Sequence, residues 1–366
     1  MSYSVTNSHF SNNKHDRLSE SINFTAMIRF GVLGLGHIGK RHAQSINAHP
    51  GACITHLADI RSPEECGVEE HTEWFSSLEE LLRSENLPDV VSVCTPNGFH
   101  ANQAIELLEA GVHVVLEKPI SLSVADAQRV LDASNRTGKQ VFCVMQNRFA
   151  PPSQWLKGLV DSGDLGQIRQ VHIQCFWNRD DRYYQKGGWR GTIELDGGPL
   201  FTQFSHFIDV MYWIFGGIEN PQAKFFNQAH EHNTDFEDSG QISFDFKNQA
   251  WGSFTFSTAV DRSNFESSLT LIAEKGTLRI AGQYMQEVVH CDIDGYEMPE
   301  LPLSAPPNDY GAYKGSASNH HFVIANVVDC LENGEQIATP LNEGVDVVSI
   351  IEAMYSAGER PLKSGR

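Results

Sequence analysis

An apolar run at 28–33 ends in Gly34-Leu-Gly-His-Ile-Gly39, and a helix-like stretch begins near His37. Three glycines at this spacing between a strand and a helix confine the segment to a βαβ unit, since each position needs a residue with no side chain. Gly34 makes the tight turn out of the strand, Gly36 lets the backbone approach a diphosphate, and Gly39 lets the helix pack close to the strand. His37 and Ile38 open the helix, whose first N–H groups lack intrahelical partners and can hold an anion. Asp59 closes the next apolar run, where a carboxylate can accept from adenosine ribose hydroxyls. Strand, glycines, helix and acid together predict a bound dinucleotide. Asp59 would repel a ribose phosphate, so NAD is expected over NADP, although Arg61 stands close enough to accommodate that phosphate. The alternative is a glycine-rich turn without a nucleotide.

From Met27 the chain alternates strand and helix. Helix 78–83 precedes a β-branched strand at 90–94, helix 101–110 stops at Gly111, and a further strand follows at 112–116. A helix from Ser123 with Gly138 as its stop leads to a strand at 140–145. Short buried runs between helices imply a doubly wound parallel sheet of the Rossmann type, ending near Arg148, with Pro151-Pro152 marking the crossing. Beyond it the period changes to long alternating strands at 170–177, 240–246, 251–257 and 269–280, with Gly276 at a turn and a hairpin at 246–251. The fold class expected is therefore α/β followed by α+β: a Rossmann domain at 27–148, then a domain at 149–366 whose open, largely antiparallel sheet is covered by helices on one face. Phe254 and Phe256, two apart, suggest that the other face pairs with a second subunit.

With 366 residues, 40% of them hydrophobic, the chain can bury two cores. No apolar run approaches the roughly 18 residues that span a bilayer, so no membrane partner is expected. Seven scattered cysteines without CxxC spacing indicate neither a disulfide framework nor a zinc site, and point to a reducing cytoplasm. A net charge of -19 disfavours nucleic acid. The Ser- and Asn-rich segment 1–26 reads as a disordered extension, or as residues upstream of a start at Met27.

Four constellations carry candidate chemistry. Thr95, Asn97 and His100 follow the strand at 90–94, beyond whose carboxyl end a ligand should sit and meet the nicotinamide ribose; an Asn-Gly turn with a helix cap explains Asn97 equally well. Glu117-Lys118-Pro119 ends the next strand, where the Lys118 ammonium can donate to a substrate hydroxyl and stabilise the alkoxide as hydride leaves. The segment 197–215 is apolar nearly all round, yet Thr202, His206 and Asp209 form one polar stripe, with Gln203 adjacent. A hydroxyl-rich substrate would satisfy that stripe, as would a histidine paired inside the core. Finally, Trp177 to Arg190 packs Arg179, Arg182, Lys186 and Arg190 among Trp177, Tyr183, Tyr184 and Trp189 in an otherwise acidic chain. Arginine forks match phosphate or carboxylate and aromatic faces stack on sugars and bases; a solvated loop is the plain alternative. His320-His321 lacks convergent metal-ligand spacing, and no metal is expected.

The glycine motif, Glu117-Lys118-Pro119, and Gly197-Gly198 leading to His206-x-x-Asp209 together resemble the glucose-fructose oxidoreductase, inositol dehydrogenase and MocA family. That resemblance, over Met27 to the C-terminus, implies NAD(P)-dependent oxidation of a sugar or polyol hydroxyl, with dimers or tetramers built through the C-terminal sheet. Gln146-Asn147-Arg148, Tyr183-Tyr184, Trp189-Arg190-Gly191-Thr192 and Leu195-Asp196-Gly197-Gly198 are similar to the WlbA-like UDP-N-acetylglucosaminuronate 3-dehydrogenases of lipopolysaccharide biosynthesis. By resemblance, Lys118 and His206 form the catalytic pair. Glu117, Lys118 and Gln146 join the cofactor contacts, and Asn147, Arg148, Arg179, Tyr184, Trp189, Arg190, Thr202, Gln203 and Asp209 face a UDP-sugar. Many relatives carry an aspartate at the position of Thr202, so either Asp209 substitutes or Lys118 carries more of the charge stabilisation. Three other functions remain open on these residues: oxidation of a free sugar or inositol, a silent NAD-binding regulator, and NAD-dependent glycoside hydrolysis.

Overall fold

The computed structural model describes residues 27–68, 73–247, 249–311 and 313–363; the expected extension at 1–26 lies outside them. The first half alternates β1 (Ile28–Leu33), α1 (His37–Asn47), β2 (Ala52–Ala58), α2 (Pro63–Cys66), β3 (Glu73–Phe75), α3 (Leu78–Leu81), β4 (Val90–Val93), α4 (His100–Glu109), β5 (His113–Leu116), α5 (Val124–Thr137) and β6 (Val141–Cys143). All six strands are parallel, in the order β3-β2-β1-β4-β5-β6. The order reverses between β1 and β4, and in open α/β sheets the crevice beyond the carboxyl ends at that point takes the ligand. Local chemistry sets the ends: Ser123 caps α5 by accepting from the Asp126 N–H, and Gly138 stops it with φ +68°.

The second half runs α6 (Pro151–Ser162), β7 (Ile168–Phe176), α7 (Pro199–Thr202), α8 (Ser205–Phe215), then β8 (Ile218–Phe226), β9 (Ser239–Phe246), β10 (Trp251–Ser257), β11 (Glu266–Ala273), β12 (Gly276–Ala281) and β13 (Glu287–Ile293). These strands form one sheet, β13-β12-β11-β7-β10-β9-β8. It is mixed: β7 and β10 are parallel while every other neighbouring pair is antiparallel. Parallel neighbours need a crossover, and the long path through α7 and α8 supplies it.

Phe254 and Phe256 point the opposite way from the sequence expectation. Both are fully buried against Phe204, with ring centroids 6.5 and 5.5 Å away, so they belong to the helix-covered face. Strand alternation places Trp251, Ser253, Thr255 and Ser257 on the other side, so the open face of β10 carries small polar groups beside one exposed tryptophan. The stripe of Thr202, His206 and Asp209 is also split. The chain breaks helix after Thr202 and restarts at Ser205, which separates Thr202 from His206 and Asp209; these two share α8, where His206 lines the cleft and Asp209 is taken by Arg148.

A β14 (Pro307–Asp309) and β15 (Lys314–Ala317) hairpin is followed by α9 (His320–Asn333) and α10 (Leu341–Ser356). These elements return to the first half: α9 packs on α1, and α10 on α5 and α8. Thr339 closes the edge at β6, its carbonyl accepting from the Cys143 N–H (3.1 Å) and its hydroxyl donating to the Cys143 carbonyl (2.6 Å). One apolar cluster consequently runs from the parallel sheet through α5 and α10 to α8 and the second sheet.

Candidate active site at the junction of the two sheets

A cleft of about 590 Å³ lies beyond the carboxyl ends of β1, β4 and β5. At its first end a Cβ on Gly36 would meet nothing within 4 Å, which leaves open space at the α1 N-terminus, where no side chain caps the free N–H groups. Gly34 takes φ +89°, and a Cβ on Gly39 would stand 1.8 Å from the Gly34 carbonyl oxygen. Gly39 is thus a packing position outside the cleft wall, while Gly34, Gly36, His37 and Ile38 line it. This open cradle of donors suits the diphosphate of a dinucleotide.

Asp59 lies at the adjacent wall and accepts from the Leu35 N–H (2.6 Å), the Arg61 N–H (3.0 Å) and the Arg61 Nε and Nη2 (2.9 and 2.8 Å). Burial would raise its carboxyl, but the Arg61 and Leu35 hydrogen bonds prevail and lower it. An anion fixed there favours a ribose diol over a ribose phosphate. Asp59→Ala should remove that acceptor and release Arg61, reducing the preference for NAD over NADP in kcat/KM by about tenfold or more. Steady-state rates with both cofactors test this, and an unchanged ratio would remove the argument from Asp59.

The loops after β4 and β5 form the floor. His100 lies between the carbonyls of Pro119 (Nδ1, 2.7 Å) and Thr95 (Nε2, 2.8 Å) and so ties the two loops together. Asn97 Nδ2 donates to the Asp196 carbonyl (3.0 Å) and to Thr202 Oγ1 (2.8 Å), and the Gly98 N–H donates to the Leu195 carbonyl (3.1 Å). Asn97 therefore bridges the two halves as well as lining the cleft, a role that a local turn motif does not reveal. Glu117 is buried behind the floor, 2.9 Å from His42 Nε2 and 3.6 Å from His320 Nε2. Burial would raise its carboxyl, yet the two imidazoles hold it well below the usual range.

Lys118 Nζ donates to the Thr202 carbonyl (2.6 Å) and lines the cleft with Gln146, Thr202, Gln203 and His206. Burial pulls Lys118 down to about 8, opposed by Glu117 and Asp196 and reinforced by Arg179. His206 Nε2 stands 3.4 Å from Gln146 Nε2, and its buried Nδ1 has no partner. Burial, then the Lys118 charge, hold the imidazole well below its ordinary value and therefore neutral at pH 7. A neutral imidazole and an ammonium facing one cleft form an acceptor and a donor for a hydroxyl.

The far end holds Trp177, Arg179, Tyr183, Trp189 and Arg190. Arg179 is buried beside Trp177, Tyr183 and Tyr313, 4.8 to 5.0 Å from their ring centroids. Arg190 lies 4.7 Å from the Tyr183 centroid and donates to the Tyr313 hydroxyl (3.1 Å). Among the described residues neither arginine makes an ion pair with a carboxylate and the Nε of each is buried and unpartnered, while the Arg179 Nη1 and Nη2 donate to the Asn178 carbonyl, Asn264 Oδ1 and the Lys314 carbonyl. Of the other two cations in this segment, Arg182 is engaged by Asp180 (2.7 Å) and Lys186 is exposed.

Four residues expected at the substrate lie elsewhere. Arg148 and Asp209 form a buried pair (Nη2–Oδ1 2.5 Å, Nε–Oδ2 2.9 Å), and Arg148 Nη1 also engages Glu343. A buried arginine takes the carboxylates within reach, which excludes both partners from the cleft. Asn147 Oδ1 accepts from Ser316 Oγ (2.6 Å), and Tyr184 packs on Tyr183, His230 and Phe236. In their place the cleft gains Asn308, Tyr310, Tyr313, Gly315 and Ser316 from the β14–β15 hairpin, which brings Tyr310 within 5.2 Å of the His37 ring. The run Asn308-Asp-Tyr-Gly-Ala-Tyr313, glycine between two tyrosines, was the one local sign of this wall.

Residues 28–145 match the oxidoreductase family with an NAD-binding Rossmann fold, and residues 153–279 match the GFO/IDH/MocA C-terminal domain. The Salmonella typhimurium inositol 2-dehydrogenase is 26% identical over 287 residues, 76% of this chain and 75% of that protein. The WlbA dehydrogenase of Bordetella pertussis, solved with NADH and UDP-GlcNAcA, superposes with a TM-score of 0.78 at 29% identity, over 93% of this chain and 100% of that one. Its counterpart from Chromobacterium violaceum, with the same two ligands, gives 0.78 at 30% identity, over 91% and 94%. The cleft between a parallel sheet and a mixed sheet, with its glycine cradle and its strand-end lysine, is therefore that of an NAD-binding oxidoreductase, and the chain belongs to the Gfo/Idh/MocA family.

Proposed function

We propose that the protein oxidises a hydroxyl, at C3, of an anionic sugar such as a UDP-linked N-acetyl-hexuronate, with NAD as acceptor. The observation that carries this reading is the pair Arg179 and Arg190. Two arginines facing one cleft without a carboxylate partner retain charge that an anionic ligand can satisfy. The ligands in the two WlbA structures support it, since UDP-GlcNAcA brings both a diphosphate and a uronate.

Bound NAD would supply the hydride acceptor. The chain's own residues orient and deprotonate: neutral His206 takes the hydroxyl proton at a ring nitrogen, and the Lys118 ammonium donates to the oxygen as its charge grows. Tyr183, Trp189 and Tyr313 offer ring faces for a sugar or base. The proposal extends to a cytoplasmic homodimer or homotetramer joined through the open face of the C-terminal sheet, and to lipopolysaccharide sugar synthesis as its setting. Oxidation of a neutral polyol is the second reading, favoured by the likeness to inositol 2-dehydrogenase.

The two readings separate on substrate charge. UDP-GlcNAcA should exceed myo-inositol in kcat/KM, and Arg190→Ala should raise KM for the anion by about one to two decades, at about 1.5 to 3 kcal/mol per charge-assisted contact. It should leave a neutral sugar nearly unaffected. A preference for inositol that persists unaltered in Arg179→Ala and Arg190→Ala would reject the anionic reading.

A further inference from the structure

We infer that Asp196 supplies the carboxylate of this active site, as a positioning residue that acts through Thr202 to hold Lys118 in place as an ammonium. The inference rests on the reading of Lys118 as the group that stabilises the developing alkoxide.

Position 202 carries a hydroxyl where the family resemblance leads one to expect an aspartate, and Asp209 is unavailable because Arg148 holds it. The structure places another carboxylate directly behind that hydroxyl. Thr202 Oγ1 donates to Asp196 Oδ1 and accepts from Asn97 Nδ2 (2.8 Å), while Asp196 Oδ2 accepts from the Gly191 N–H (2.8 Å). Burial raises the Asp196 carboxyl, held back by the Thr202 hydroxyl, the Gly191 N–H and the Arg190 charge, and with a donor against each oxygen the ionised form can accept both bonds. These contacts immobilise Thr202, whose carbonyl receives the Lys118 Nζ–H at 2.6 Å.

Asp196 is wholly buried, and neither of its oxygens is in an ion pair among the described residues. Little water screens its charge, and Arg190 is the cation that acts on it. The ionisable groups acting on Lys118 are Glu117 and Asp196, which favour the ammonium, and Arg179, which opposes it; His206, across the cleft, is neutral. Removing the Asp196 charge leaves Glu117 alone against burial and Arg179. Lys118 must then lose its proton at a lower pH than the value of about 8 it has with Asp196 in place.

The test reads Lys118 directly. In enzyme labelled with 13Cε-lysine, the Lys118 resonance is the one absent from Lys118→Met, and its midpoint is followed against pH in wild type and in Asp196→Asn. The expected result is a fall of about one pH unit, with the alkaline limb of kcat moving down by the same amount and NADH affinity unchanged. An unmoved Lys118 midpoint overturns the inference. A moved midpoint with an unmoved kcat limb upholds the Asp196–Lys118 link and rejects instead the role of Lys118 in turnover. Should Asp196→Asn not fold, Asp196→Ser and Asp196→Glu replace it: the uncharged serine should lower the Lys118 midpoint, and the glutamate should restore it. Equal midpoints in the two variants overturn the inference.

Discussion

Lys118→Met and His206→Ala are each expected to lower kcat by about a hundredfold or more, with NAD affinity nearly unchanged. The two side chains face one cleft in complementary states, an ammonium held near its titration point and an imidazole kept neutral by burial and by the lysine. Neither borders the glycine cradle or Asp59, so removing them should leave the dinucleotide contacts intact. Methionine preserves most of the lysine's apolar length, and the loss in Lys118→Met therefore reports charge rather than packing. Single-turnover rates with a nucleotide-linked sugar acid, beside NADH binding followed by fluorescence, separate chemistry from binding. Near wild-type turnover in His206→Ala would make its place between Gln146 and the cleft structural, and the proposed mechanism would fall.

Asp209→Ala should instead act on stability. Asp209 is completely buried, and its carboxylate is the main partner of Arg148, whose other ion pair is with Glu343 at the start of α10. Leaving a buried charge wholly unpaired costs about 3 to 5 kcal/mol, and the retained Glu343 keeps the loss at the lower end of that range. Arg148 joins the loop after β6 to both α8 and α10, so the loss loosens the seam between the halves. For a chain of this size the melting temperature should fall by about 4 °C, with kcat of the folded fraction little changed. Calorimetry and active-site titration decide it. A large fall in kcat without loss of stability would return Asp209 to the catalytic machinery.

The glycine spacing, Asp59 after the second strand and Lys118 after the fifth are local patterns whose geometry follows from a strand's carboxyl end, and their places in the cleft follow from the parallel sheet. The polar stripe at 202–209 was legible as a group but not in its division. Spacing of four and seven residues indicates one helix face only if the helix is continuous, and the break after Thr202 turns its hydroxyl to Asn97 and Asp196, while Asp209, on the same helix as His206, is drawn to Arg148 by its charge. Phe254 and Phe256 were recognised as one face of β10, but alternation alone does not say which face meets the helices.

What the sequence by itself determined is the class of fold, the dinucleotide cradle and the candidate lysine and histidine, because each is written in residues close together in the chain and governed by backbone geometry. Only the tertiary structure decided which polar residues meet the ligand space. That choice depends on partners far apart in sequence: Arg148 with Asp209 and Glu343, Asn97 with Asp196 and Thr202, and Tyr310 with His37. A buried charge goes to whatever counter-charge the packing brings within reach, and no periodicity along the chain encodes that distance.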